Sequence, residues 1–288
     1  MKVRKIWRSS PEYPSLLAEI PDPPKHLFAS GRELGAATCM AIVGTRRASQ
    51  YGLEVARWLG AELASAGLIV VSGLAHGIDA AAHQGALDVD GSTVAVLGCG
   101  VDICYPARNR DLYRRIAERG TIVSELECGV RPLPHHFPIR NRIIAGMSLG
   151  VVIVEARPKG GAMITARLAN EFGREVFAIP GLVNAQTALG PHQLMRDGAR
   201  LVTSARDILE DLGLVDLDES GQPELILQPD EALVIRHLGP EPVVLDRIAK
   251  MAAIPASTAA AVLSKLELRG LVARHPGGRF ALTVGTVG

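Results

Sequence analysis

Between Gly150 and Ala156 the chain reads Gly-Val-Val-Ile-Val-Glu-Ala, almost without a polar side chain. A short, nearly continuous apolar run of this kind is a strand buried on both faces, as in a parallel sheet covered by helices. Lys159-Gly160-Gly161 then forms a turn, and a helix is expected to begin near Met163-Ile164-Thr165. A second strand, Glu175-Val176-Phe177-Ala178-Ile179, stops at Pro180-Gly181. Strand, glycine turn, helix and strand make one βαβ unit. A glycine turn at a helix N-terminus offers free backbone N–H groups and the positive end of a dipole, so it attracts phosphate. Just upstream, Arg140-Asn141-Arg142 is placed at the start of a helix. Two arginines and a phosphate-friendly turn within residues 138–180 point to a polyanion as ligand.

The same rhythm precedes this unit. Apolar strands are expected at Met40–Val43, Leu68–Val71, Thr93–Leu97 and Thr121–Glu125. Helices are expected at about Tyr51–Ala66, from Asp79 to about Leu87, and at Arg108–Glu118, with Gly67 ending the first of them. A last pair, His192–Asp197 and Arg200–Val202, leads into a helix ending near Leu212. Strands alternating with helices predict an α/β fold with a doubly wound parallel sheet. Right-handed crossovers bring the loops after the strands to one edge, where ligands bind. Gly44, Gly73, Gly98 and Gly160-Gly161 all fall on that edge, together with Arg46 and Arg47.

Four regions follow: an irregular, proline-rich leading segment over 1–38, the α/β domain over 39–212, an acidic linker over 213–228 and a small module over 229–288. The module is expected to hold helices at Asp230–Leu238, Leu245–Met251 and Ser257–Arg269, then strands at Leu271–Arg274 and Arg279–Thr283. Three helices and a hairpin resemble a winged helix. Its third helix opens Ser257-Thr258-Ala259-Ala260-Ala261, without the Asn, Gln or Arg that read base edges. A structural or protein-contact role fits it better than operator recognition.

Composition limits the alternatives. The formal net charge is +1, so any nucleic-acid site is a local patch and not a general coat. Arginine outnumbers lysine 25 to 6. That suits bidentate phosphate binding, and a genomic bias would give the same count. The cysteines, Cys39, Cys99, Cys104 and Cys128, form no CxxC pair, which fits a reduced, cytoplasmic protein. No signal-peptide core and no run of 18 apolar residues occurs, so no membrane role is expected.

Several motifs carry less than they suggest. Gly98-Cys99-Gly100 begins like a dinucleotide fingerprint but lacks the third glycine, and no P-loop string occurs. His76, Asp79 and His83, or His135-His136, invite a metal hypothesis that no coherent ligand set completes. Asp79 reads as a helix cap and His83 as a core residue. Ser72 with His76 lacks the setting of a nucleophile. No metal and no cofactor are expected.

The strings Ala41-Ile42-Val43-Gly44-Thr45-Arg46, Ser72-Gly73-Leu74-Ala75-His76-Gly77-Ile78-Asp79 with Ala82-His83, Phe137-Pro138-Ile139-Arg140-Asn141-Arg142-Ile143-Ile144, Ile164-Thr165-Ala166 and Val176–Gly181 resemble the DprA/Smf family of DNA-processing proteins. The resemblance runs from about Trp7 to Asp207 and continues in the C-terminal module. It implies an extended Rossmann domain that binds single-stranded DNA, protects incoming DNA and loads the RecA recombinase during natural transformation, acting as a dimer. Two departures are His192, where the family usually has Asn, and Lys159-Gly160-Gly161-Ala162 in place of its usual Ser-Gly-Ser turn. The family's helical N-terminal domain is expected to be missing, because Tyr13-Pro14 reads as part of the core's leading segment.

Single-stranded DNA is therefore expected at Gly44, Thr45, Arg46, Arg47, Ser72, Gly73, Phe137, Arg140, Asn141, Arg142, Lys159, Gly160, Gly161 and Thr165. A symmetric homodimer is expected through Leu194, Met195 and Leu201, at the end of the domain where family members meet. The leading alternative is a nucleoside-monophosphate-cleaving enzyme of the lysine-decarboxylase-like group, whose PGGxGTxxE signature is missing here. The other is a winged-helix transcription regulator.

Overall fold

A computed structural model describes residues 2–35, 38–214, 228–239 and 241–283. The linker expected over 213–228 lies outside the described residues except at 213, 214 and 228. The chain divides into two compact units between Val215 and Asp216.

The first unit is an α/β domain built on a nine-stranded sheet. Its strands are β1 (Val3–Trp7), β2 (His26–Gly31), β3 (Cys39–Val43), β4 (Ile69–Ser72), β5 (Thr93–Val96), β6 (Thr121–Ser124), β7 (Gly150–Ile153), β8 (Glu175–Ala178) and β9 (Arg200–Leu201). Between them lie α1 (Ser15–Ala18), α2 (Gln50–Ser65), α3 (Ile78–Asp88), α4 (Arg110–Arg119), α5 (His136–Gly146), α6 (Gly161–Glu171) and α7 (Leu189–Arg196), and α8 (Ala205–Asp211) ends the unit. Every residue of β3 to β7 is buried, as the apolar runs require. Ser72, Thr93 and Ser124 are tolerated there because each hydroxyl donates to a neighbouring strand's or loop's carbonyl: Ile42, Val70 and Leu97 respectively.

The strand order is β1-β2-β6-β5-β4-β3-β7-β8-β9. Strands β3 to β6 step outward in one direction; α5 then carries the chain back to the other side of β3, where β7, β8 and β9 continue. The loops after β3 and β7 therefore part at the switch point and leave a crevice. The parallel sheet is not complete to its edge. The leading segment, expected as a crossing with one short helix, supplies two strands as well: β2 pairs antiparallel with β6, and β1 with β2. Its prolines at 11, 14, 21, 23 and 24 all fall between those strands and leave their ladders unbroken.

Two apolar layers cover the sheet. One gathers Ile6, Leu17, Leu27, Val43, Val71 and Ile143 under α1, α5 and α6. The other gathers Leu74, Leu87, Leu97, Leu112, Tyr113 and Ile116 under α3 and α4. Helices α2 and α3 approach closely because both present glycine at the crossing. A Cβ on Gly60 would sit 2.4 Å from the Ala82 carbonyl oxygen, and one on Gly85 only 1.8 Å from that of Arg57.

The second unit holds α9 (Pro229–Ile235), β10 (Val243–Val244), α10 (Leu245–Ala252), α11 (Ala256–Leu268), β11 (Val272–His275) and β12 (Arg279–Leu282). The sheet order is β10-β12-β11, so a short strand before α10, not foreseen from the sequence, completes the wing. Val234, Ile248, Leu263, Leu266, Val272 and Phe280 form its core.

Candidate nucleic-acid interface

An open cleft of about 670 Å³ occupies the switch point. Its floor begins where β3 ends. Gly44 is required there because a Cβ would lie 2.5 Å from the Ile78 side chain and 2.8 Å from the Glu155 carbonyl oxygen. Thr45 is held by its N–H donating to the Glu155 carbonyl (2.7 Å), and its own carbonyl accepts from the Ile78 N–H. The chain then turns outward, leaving Arg46 and Arg47 exposed on the rim. The Arg46 guanidinium lies 5.2 Å over the ring of half-buried Phe137, which in turn leans on Tyr105 at 5.5 Å.

The opposite wall is the turn after β7. Gly160 is the N-cap of α6, and no side chain caps that helix. A Cβ at Gly161 would meet nothing within 4 Å, so the first turn of the helix opens directly onto the cleft. The Asn141 side chain donates to the Gly161 carbonyl (3.3 Å) and fixes the turn. Arg157 stands exposed at the entrance to the same turn. Sequence reasoning missed it, although its place two residues after the buried Glu155 and just ahead of Lys159-Gly160-Gly161 marks it as a switch-point residue. Arg46, Arg47 and Arg157 have no carboxylate partner among the described residues.

The acids near the cleft are already engaged. Glu155 is buried; it accepts from the Ser49 hydroxyl (2.5 Å), the Ser49 N–H (2.8 Å) and the Thr187 hydroxyl (3.1 Å). Asp79 is buried as well and accepts from the N–H groups of Gly73 (3.1 Å) and Ala75 (3.4 Å). It is not the cap of α3, whose N-cap is Gly77; it ties down the loop before that helix. Burial pushes its carboxyl upward, opposed by the nearby Arg140 charge and by N–H donors including Gly44.

The predicted site residues separate into groups. Gly44, Thr45, Arg46, Arg47, Phe137, Arg140, Asn141, Gly160, Gly161 and Thr165 all line the cleft. Arg140 does so from below the surface. It lies a full turn inside α5, 6% exposed, and its guanidinium donates to the carbonyls of Gly73 (2.8 Å) and Val96. Burial, reinforced by Arg46, lowers it to about 10, with Asp79 acting the other way, so it stays charged at neutral pH. Gly73 makes room for it, since a Cβ there would meet the guanidinium at 2.4 Å. Thr165 is buried too. Ser72 is fully buried and bonded to Ile42, so it is a strand residue and offers no nucleophile. Arg142 does not reach the cleft: it forms an ion pair with Glu125 at 2.7 Å. Two residues apart on an α-helix means about 200° of rotation, so Arg140 and Arg142 cannot share one face. Lys159 is exposed but does not line the cleft.

His83 is a core residue. The Thr93 hydroxyl donates to the Val70 carbonyl, so His83 Nδ1–H donates to Thr93 Oγ1 at 2.7 Å. Burial and the Arg140 charge lower the imidazole to about 3. His136 Nδ1 lies 3.2 Å from the Gly98 carbonyl oxygen. Among the described residues no group of three His, Cys, Asp or Glu side chains could hold a metal ion, and no helix is long and apolar enough to cross a membrane.

A doubly wound sheet with an open, arginine-edged cleft at its switch point, followed by a winged-helix unit, defines a Rossmann-type α/β protein. Residues 4–213 match the family model of DNA recombination-mediator protein A, and residues 218–278 that of the DprA winged helix domain. The chain belongs to the DprA/Smf family of DNA-processing proteins, which are DNA-binding recombination mediators and not enzymes. It is 41% identical over 281 residues to Protein Smf of Escherichia coli K12, covering 94% of this chain and 75% of that protein. It is 44% identical over 198 residues to DNA processing protein DprA of Streptococcus pneumoniae, covering 68% and 70%. The X-ray structure of the pneumococcal protein superposes with a TM-score of 0.70 at 41% identity, covering 73% of this chain and 75% of that one. The Helicobacter pylori DNA processing protein A, whose structure was determined for its single-stranded DNA binding mode, gives 0.66 at 30% identity, covering 74% and 97%.

Proposed function

We propose that the switch-point cleft binds the backbone of single-stranded DNA and that the chain delivers that DNA to RecA, protecting it during natural transformation. The observation that carries this reading is the meeting of three uncompensated guanidiniums, Arg46, Arg47 and Arg157, with the uncapped N-terminus of α6 on one open cleft. Cationic side chains and backbone N–H groups recognise phosphate without reading sequence, and Phe137 is placed to meet a base. Arg140 and Asp79 support the cleft from beneath and do not contact the strand. A gel-shift comparison of single-stranded with double-stranded DNA of equal length at fixed salt tests the reading. Single strands should bind more tightly; equal or reversed affinity refutes it. RecA delivery predicts faster assembly of RecA on single strands held by this chain.

For the homodimer, Leu201 is the strongest of the three expected contacts. It is 54% exposed on β9, the last strand of the sheet, whereas Leu194 packs partly into its own core. Leu201→Arg should shift the mass seen by light scattering from dimer to monomer. A monomeric parent at tens of micromolar removes the idea.

A further inference from the structure

The outer edge of the sheet carries a cluster of aromatic and basic residues that the cleft does not use, with Trp7 exposed and His26 and Phe28 half-buried. Trp7 on β1 is 53% exposed. It is paired in register with His26 on β2, and their rings meet edge to face at 5.3 Å. Phe28 continues the row, 5.1 Å from His26. The Lys5 ammonium sits 4.4 Å over the Trp7 ring and 5.3 Å from Phe28. Lys25 is exposed just before His26, at the Trp7 end of the strand pair, and Lys2 is exposed at its other end, next to Val3. Three of the chain's six lysines thus fall on this one hairpin. Lys2, Lys5 and Lys25 have no carboxylate partner among the described residues.

The register decides which end of the sheet this cluster occupies. Phe28 pairs with Ser124, the last residue of β6, whereas Gly31 pairs with Thr121, the first. His26 and Trp7 therefore project past the carboxyl end of β6. That is the edge on which the cleft opens after β3 and β7. Five strand spacings separate β1 from β3 in the sheet order, on the order of 24 Å at about 4.8 Å each. A distance of that order is within reach of a bound strand, since single-strand sites run to roughly 4–16 nucleotides.

We propose that Trp7, backed by His26 and Lys5, is a base-stacking platform for a nucleotide of the strand that leaves the cleft. An indole face with an exposed ammonium over it can exchange that ammonium for a base. The freed lysine then neutralises a phosphate nearby, which is the combination of stacking and charge that holds single strands without regard to sequence. Charge complementarity selects the occupant: Lys5 and Lys25 beside the rings have no carboxylate partner among the described residues, and the exposed carboxylate that acts on His26 without an ion pair is that of Glu127 alone. The carboxylate of Glu125, on the loop after β6, is already taken by Arg142. The inference rests on the cleft reading and extends its footprint to a second element.

Tryptophan emission separates the two ideas, because the chain holds only Trp7 and Trp58. Trp58→Phe leaves Trp7 as the sole reporter in the full chain. Oligothymidylates of about 5 and about 20 nucleotides, near and beyond the ends of the range of known site sizes, are the probes. The long probe should quench Trp7; the short one, held in the cleft, should not. Trp7→Ala should weaken the long probe at least about fivefold, the lower bound for losing one stacked base. Trp7→Phe should restore it, and short-probe affinity should stay unchanged. Unchanged Trp7 emission at saturation, or full long-probe affinity in Trp7→Ala, overturns the platform. Quenching by a polyglutamate peptide and not by DNA also overturns it, in favour of a docking face for an acidic protein segment. Arg46→Glu, read on the short probe, tests the cleft separately. If it changes nothing the cleft reading fails, and the platform stands or falls on the Trp7 signal alone.

Discussion

Replacing Arg46 by Ala removes one exposed guanidinium from the cleft rim and leaves Phe137 and the backbone in place. Arg46 forms no ion pair among the described residues, so its loss strands no buried carboxylate and the fold should persist by circular dichroism. If it neutralises one phosphate, the slope of log affinity against log salt should flatten by about 0.7. Between 50 and 200 mM salt, one such contact costs the parent about 2.6-fold in affinity, so the parent's advantage over the variant should shrink by about that factor. Arg46, Arg47 and Arg157 together should account for about 18-fold over the same range. Anisotropy of a fluorescently labelled oligothymidylate, titrated at four salt concentrations, measures the slope directly. Arg142→Gln is the informative comparison, because Arg142 is bound to Glu125 and should leave the slope unchanged. Lys265→Glu, in the winged-helix unit, should also change little. An Arg46→Ala variant with the parent's slope, or an Arg142→Gln variant with a flattened one, refutes the assignment of the cleft.

Other consequences are independent of DNA. His83 titrates at about 3 when folded and at an ordinary 6.5 when unfolded, so the unfolded state takes up a proton first as pH falls. Stability should be full above pH 6.5 and decline between pH 6.5 and 3, by about 2 kcal/mol at pH 5. His83→Asn, which keeps a donor for Thr93, should be less stable at pH 7 but lack that share of the decline in urea titrations. An unchanged decline contradicts the buried, neutral imidazole. Gly85→Ala should force α2 and α3 apart and cost about 1–3 kcal/mol by urea titration, with Gly161→Ala, uncrowded and without a positive φ, as the comparison; a neutral Gly85→Ala is incompatible with this crossing. Removing residues 229–288 should leave single-strand affinity within tenfold, about 1.4 kcal/mol, because every cleft residue belongs to the first unit.

Much of this was legible from residue order alone. Apolar runs punctuated by glycine set the sheet, because a strand buried on both faces admits no polar side chain whose hydrogen bonds go unmet. The positions of Arg46, Arg47 and Gly160-Gly161 after β3 and β7 set the switch-point edge, because crossover handedness leaves no other place for them. The tertiary structure decided the rest. Arg140 and Arg142 look equivalent in sequence, yet helical rotation buries one against Gly73 and Val96 and pairs the other with Glu125. Gly73 reads as a phosphate turn, and only packing reveals that it makes room for a guanidinium. The leading segment carries no local sign that it will join the sheet. Pairing of β2 with β6 links Phe28 to Ser124, 96 residues away, and depends on an edge that exists only once the core has formed. Local pattern fixed what each segment could become, and long-range packing chose which charges stayed free to meet a ligand.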